Sequence, residues 1–139
     1  MGRIVGMDFG TVRIGLALSD ERKILASPLP FFSAEKSLEK TCEKLYAYLL
    51  PHSIETIVIG LPLHLNGSES RMAEEVRLFV ELLREKFGVP IIFWDERLTS
   101  AEIERLLKSA SMSRKKRVGV SDSLAATLIL QGYLDARLS

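Results

Sequence analysis

The chain of 139 residues is one domain's worth and long enough to bury a core without covalent staples. With 47% hydrophobic and 27% charged residues and a net charge of +1, it has no global field drawing it to nucleic acid or membrane, so any basic patch is local. A single cysteine, Cys42, excludes a disulfide framework; no apolar run is long enough for a membrane span and no leader precedes the first strand, so the chain reads as cytoplasmic.

Residues 3–8 and 13–19 read as two strands joined at Phe9–Val12, a hairpin whose turn is built on Asp8-Phe9-Gly10-Thr11. Residues 23–32 look like a third strand, confined to an edge or a bulge by Pro28 and Pro30. Ser33 is placed to cap a helix to about Leu50, with Leu38, Cys42, Leu45 and Leu49 on one face and Pro51 as its stop. Thr56–Gly60 is a nearly unbroken apolar run, the mark of a strand buried on both faces, followed by a loop with Asn66-Gly67 as a turn signal.

The next helix spans about Ser68 to Phe87, its core face set by Val76, Phe79, Val80, Leu83 and Phe87, with Gly88 and Pro90 at its exit. Val89 to Trp94 is a short strand ending in Asp95-Glu96-Arg97. Thr99-Ser100-Ala101-Glu102 is a capping box that starts a helix with Ile103, Leu106 and Leu107 as its apolar side. Residues 109–120 lack periodicity and read as a loop; Ser121 then caps a final helix from Asp122 to about Arg137. The order β-β-β-α-β-α-β-α-α gives one α/β domain over residues 1–139: a five-stranded mixed sheet, a meander extended by two crossovers, with helices on both faces.

Three acidic positions stand at element ends. Asp8 closes the first strand, the Asp95-Glu96 pair follows the fifth, and Asp122 opens the last helix. Each has a plainer role to offer: a turn former, a solvated strand end, a partner for a helix dipole worth about 0.3–1 kcal/mol. Yet strands one, four and five are parallel neighbours in this topology, and ligands gather outside the carboxyl ends of such strands. Adjacent side chains of a strand point to opposite faces, so at most one of Asp95 and Glu96 enters a shared site. Clustered carboxylates resist ionising together unless a cation lies between them, and all-oxygen donors suit Mg²⁺ or Mn²⁺. Two such ions about 3.5–4 Å apart can activate water and stabilise the leaving oxygen in phosphodiester cleavage. His52 and His64 are not spaced to complete a transition-metal set.

These residues resemble the YqgF/RuvX family, associated with Holliday junction resolution and with maturing the 5′ end of precursor 16S ribosomal RNA. The likeness covers essentially the whole chain. It rests on Asp8-Phe9-Gly10-Thr11-Val12-Arg13-Ile14-Gly15, Gly60-Leu61-Pro62 with Asn66-Gly67, Trp94-Asp95-Glu96-Arg97-Leu98-Thr99-Ser100, and Leu124-Ala125-Ala126 running into Ile129-Leu130-Gln131-Gly132-Tyr133-Leu134-Asp135. The resemblance implies a ribonuclease H-like fold and metal ligands at Asp8, Glu96 and Asp122, and so chooses Glu96 over Asp95. One departure is Ser121, where the family often has an apolar residue before this aspartate.

The expected activity is metal-dependent phosphodiester hydrolysis on precursor rRNA. Asp8 would bridge two Mg²⁺ or Mn²⁺ ions, with Glu96 and Asp122 each completing one. Arg114-Lys115-Lys116-Arg117 is a local cationic run in a segment read as a loop, suited to clamping phosphates, with Thr11, Arg13 and Arg97 near the same edge. Asn66-Gly67 and Trp94 offer a groove lining and a stacking surface, against the plainer readings of a turn and a core residue.

Three other functions fit parts of this pattern. A junction resolvase needs two symmetry-related sites, hence a homodimer rather than a monomer. A non-catalytic nucleic-acid or ribosome-assembly factor, seated on ribosomal particles, would have little use for mutually repelling acids. A nucleotide-binding hairpin of the actin and sugar-kinase type needs a second domain that 139 residues do not supply.

Overall fold

The computed structural model describes residues 2–62, 66–67, 70–95 and 114–138, with side chains in the last segment from Leu124 onward. Five strands form one sheet in the order β3-β2-β1-β4-β5: β1 Arg3–Asp8, β2 Arg13–Ser19, β3 Ala26–Ser33, β4 Ile54–Leu61 and β5 Ile91–Asp95. The β1–β2–β3 meander is antiparallel, whereas β4 runs parallel to β1 and β5 parallel to β4. The mixed sheet expected from the element order is the one observed.

Strand alternation sorts the core into two layers. Val5, Met7, Ile14, Leu16 and Ile59 face α1 (Leu38–Leu49) and α2 (Arg71–Phe87), meeting Leu45, Leu49, Val76, Phe79 and Leu83. Ile4, Ala17 and Val58 point the other way and pack under the last helix, α3 (Arg114–Arg137), against Ala126, Ile129, Leu130 and Leu134. Strands that feed two layers need apolar residues at nearly every position, which is why β1 and β4 read as unbroken apolar runs. Trp94 joins the α3 layer, edge-on to Tyr133, so its core reading holds.

Helix α3 comes unusually close to β1. A Cβ on Gly6 would stand 2.7 Å from the Leu130 Cβ and 2.9 Å from the Ala126 carbonyl oxygen. Gln131 fixes the far side, accepting from the Ala26 N–H at 2.9 Å and donating to the Ile24 carbonyl at 2.9 Å. Contacts therefore pass from Gln131 to Ala126 as β1 advances from the level of Ile4 to that of Gly6, and α3 runs antiparallel to β1.

Several element ends differ from expectation. β3 continues to Ser33, and Ser37 rather than Ser33 caps α1, accepting from the Lys40 N–H at 3.2 Å. Helix α2 starts at Arg71 behind Ser70, which accepts from the Ala73 N–H and donates to the Pro62 carbonyl, tying the helix start to the end of β4. Gly88 ends α2 at φ +64°, as its position after Phe87 suggests. The larger correction concerns α3. It begins at Arg114, so the stretch from 114 to 120 is helix rather than loop, and Ser121 and Asp122 lie inside it rather than at its cap. The helix expected over 99–107 lies outside the described residues.

Gly6→Ala should lift α3 off β1 and cost about 1–3 kcal/mol, the usual range for forcing atoms into a packed core. Denaturant unfolding of the two proteins side by side checks this; an unchanged midpoint would show that α3 is free to shift.

Candidate active site

Asp8 is the last residue of β1, half-buried, and paired across the hairpin with Gly15. Its neighbours hold that corner rigidly. Phe9 is buried with its ring 5.0 Å from that of Phe79 on α2. Gly10 sits so close to the Arg13 carbonyl that a Cβ there would lie 2.5 Å from the oxygen. The Val12 carbonyl accepts from the Ala34 N–H at 2.9 Å, fastening the turn to the end of β3.

Register and pleat decide which side chains share this corner. Asp8 follows Ile4 and Gly6 in the set of β1 residues that face α3. On β5, Ile92 and Trp94 face α3 while Ile91 and Phe93 face the α1–α2 layer, so Asp95 falls on the side away from Asp8. Asp95 is thereby removed as a partner for Asp8. Glu96 and Arg97 lie outside the described residues.

Asp122 is a backbone position within α3, one turn before Ala126. Because α3 is antiparallel to β1, that turn leads toward the strand end carrying Asp8. The step from Ala126 to position 122 is about 6 Å of helix rise, and from Gly6 to Asp8 about 6.6 Å of strand. Arg114, Lys115, Lys116 and Arg117 form the first turn of α3, still further along the same direction.

Arg13 belongs to the α3-facing set of β2, with Gly15 and Ala17, and its guanidinium lies 5.2 Å from the centre of the Phe31 ring. Thr11, in the same turn, lines with Ser37, Thr41 and Glu75 a hollow of about 130 Å³ on the α1–α2 side. Gly67 takes φ +91°, so Asn66-Gly67 forms the turn its composition suggests. Phe31, exposed beside Arg13, was not among the residues expected at this corner. The signal in the chain was a proline on either side of Leu29, which marks irregular pairing but does not say which way the next side chain turns.

The donor that the described residues bring to this corner is the Asp8 carboxylate. His52 lies in a 3-10 turn before β4, next to the start of β1, where the Arg3 N–H donates to the Ser53 carbonyl. It is at the opposite end of the sheet from Asp8. Burial pushes the Cys42 thiol up, and Cys42 lies on α1 beside Leu82 and Lys86 of α2, away from the Asp8 corner. Among the described residues no three His, Cys, Asp or Glu side chains meet at one point, Glu96 and the Asp122 side chain being outside that set. Among the described residues the corner brings the Asp8 carboxylate and no imidazole or thiolate, and a carboxylate is the donor a hard divalent cation takes; His64 lies outside the described residues.

The family model of RuvX, described as Holliday junction resolvase, matches residues 2–136. A protein of Protochlamydia amoebophila named as a candidate pre-16S rRNA nuclease is 48% identical over 97% of this chain and 94% of its own length. One from Desulforudis audaxviator with the same name is 44% identical over 99% and 96%. Among solved structures, RuvC of T. thermophilus bound to a Holliday junction substrate superposes with a TM-score of 0.57 at 14% identity, covering 100% of this chain and 97% of that one. The fowlpox virus resolvase with junction DNA gives 0.60 at 9% identity and 99% coverage of both chains. At such low identities these two speak for the fold alone. With the parallel β1–β4–β5 core, the antiparallel meander and full-length relatives above 40% identity, the chain belongs to the RuvX family and has its ribonuclease H-like fold.

Proposed function

We propose that this protein is a metal-dependent nuclease that matures the 5′ end of precursor 16S ribosomal RNA, with Asp8, Glu96 and Asp122 as its ligand set. Membership of RuvX makes it a phosphodiester-hydrolysing enzyme of the nuclease class. The observation that carries the site is the antiparallel run of α3 over β1, toward the strand end where Asp8 faces that helix. The substrate follows from the names of the full-length relatives.

The backbone at Asp8 is fixed by strand pairing with Gly15 and by the Phe9–Phe79 contact beside it, which supports a carboxylate positioned before substrate arrives. Position 122 is the ninth of the 24 residues of α3, two turns inside the helix. Glu96 rather than Asp95 is the ligand the resemblance implies, and the position of Asp95 on the face away from Asp8 supports that reading. A divalent cation held by these carboxylates, one ion or two, would supply the charge that polarises the phosphate and lowers the pKa of water. The protein's cations then hold the strand. Arg13 lies on the Asp8 face, and Arg97 is next in sequence to Glu96.

Recasting the basic run as helix changes its use. Four consecutive helical positions spread around the axis at about 100° each, so they cannot all grip one backbone. Position 115 is seven residues before Asp122, close to two full turns, and shares its stripe; position 116 lies about 120° away. Lys115 is therefore the cation of this run that serves the same strand as the carboxylates. Ribosomal precursor particles, met in the cytoplasm, are the setting this substrate implies, and cleavage of one RNA end needs no second, symmetry-related site.

Asp8→Asn should reduce cleavage of an end-labelled precursor-type RNA, in Mg²⁺ or Mn²⁺, by at least about 100-fold, the scale of losing one transition-state charge stabiliser. Its thermal midpoint should stay near that of the parent. Undiminished turnover would remove Asp8 from the mechanism, and symmetric cutting of a four-way DNA junction in preference to RNA would replace this reading with a dimeric resolvase.

Binding of single-stranded RNA should weaken with salt, with a log–log slope of about −0.7 per phosphate contact. Lys115→Gln should reduce that slope by about 0.7, and Lys116→Gln by less. Equal effects of the two substitutions would show that the helical stripe does not select among these cations.

A further inference from the structure

Between Ile14 and Leu16 the pairing of β2 with β3 slips: Ile14 faces Phe32, whereas Leu16 faces Leu29. Pro30 and Phe31 together oppose the single residue Gly15. This is a β-bulge, and proline is tolerated there because no ladder N–H is needed. Its consequence is a change of face. Leu29 and Phe32 both pack on the α1–α2 layer, Phe32 against Tyr48. In a regular strand Phe31, two residues after Leu29, would join them in the core. The extra residue turns it out instead, and Phe31 is 42% exposed. An exposed phenylalanine costs solvation that a regular strand would have avoided.

The bulge also fixes where the ring stands. Asp8 pairs with Gly15, and Gly15 is the residue opposite the bulge, so Asp8, Gly15 and Phe31 occupy one transverse row of the sheet. Two strand spacings separate the first from the last, about 10 Å. Arg13, paired with Ser33 on the Asp8 side of the sheet, lays its guanidinium 5.2 Å from the Phe31 ring centre. An aromatic face and a guanidinium plane beside a phosphodiester site are the two surfaces on which unpaired bases stack.

We propose that Phe31, with the Arg13 guanidinium over it, is a stacking platform for an unpaired base of the RNA strand being cut, a neighbour of the nucleotide whose phosphate lies at Asp8. The inference rests on the nuclease reading and sharpens its substrate class: the platform takes a base with a free face, so it favours single-stranded RNA ends over continuous duplex. Every base has such a face, so the platform selects strand state and not sequence. Arg13 keeps the ring from collapsing onto the sheet and adds a positive charge near the strand's phosphates.

The test uses the full chain carrying Asp8→Asn, which removes turnover, and single-stranded RNAs in which 2-aminopurine is moved one nucleotide at a time past the cleavage position. Stacking should quench the fluorophore at one or two adjacent positions. Adding Phe31→Ala should abolish that quench and weaken binding roughly 5- to 150-fold, the range for loss of one base–aromatic stack. Phe31→Trp should restore both, which a merely structural role would not do, and circular dichroism melts establish that all variants are folded. No position-specific quench, or a quench and affinity unaltered by Phe31→Ala while the parent enzyme still cuts RNA, would overturn the platform alone. A parent that neither binds nor cuts RNA would overturn the platform and the nuclease reading together.

Discussion

The close approach of α3 to β1 at Gly6 is the constraint on which the rest of the molecule depends. Any side chain there would hold the helix away, and the helix brings one of the two core layers with it. Helix–sheet contact at backbone distance also sets register: Ala126 and Leu130 straddle Gly6, so the helix cannot slide by a turn without losing its seat. Whatever lies one turn beyond Ala126 is thereby delivered to the end of β1. The spacing of Gly6 and Asp8 on the strand, and of Ala126 and Asp122 on the helix, are two measures of the same length. The glycine contributes to the candidate site by seating the helix, through packing alone.

Pleat parity does the remaining sorting. A residue's face follows from counting in twos along a strand, which separates Asp8 from Met7, Trp94 from Asp95 and Arg13 from Ile14 without any further force. The count is broken at the start of β4, where Arg3 and Ile4 face Ile54 and Thr56, and, on the Asp8 side, by the bulge at Pro30 and Phe31. It moves a large ring from the core side to the side of Asp8, in the same row of the sheet. Bulges recur beside active sites because one inserted residue re-aims a side chain without disturbing the rest of the ladder.

The sheet was largely legible in the chain because its strands are buried on both faces. Apolar runs at 3–8, 13–19 and 56–60 have few other stable homes, and their order left the meander plus crossovers as the natural topology. What could not be read were choices among several acceptable caps. Ser33, Ser37, Ser68, Ser70 and Ser121 all carry the hydroxyl a helix start requires, and only tertiary contacts decide between them, as the Ser70 bond to the Pro62 carbonyl shows. The segment from 114 to 120 misled for a related reason. Its first turn is cationic on every side, so it has no amphipathic period, and its helicity comes from being continuous with a well-packed stretch downstream. Asp8 was legible as a candidate because a carboxylate at a strand end is unusual company for an apolar run; the outward face of Phe31 was not legible, because it depends on a pairing slip.

Helical continuity through residue 122 also changes how the carboxylates and cations are linked. In a flexible loop, Arg114–Arg117 would adapt to whatever strand arrived, and Asp122 would carry only the weak bias of a helix terminus. In a helix both belong to one rigid rod anchored at Gly6. Lys115 and Asp122 then keep a fixed spacing of about 10.5 Å along the axis, while Asp8 and Phe31 keep theirs across the sheet. A strand that meets both elements is measured along two directions at once. On the proposed reading, such a corner would discriminate by the path of the backbone and the freedom of its bases, by the shape of an RNA end rather than by its sequence.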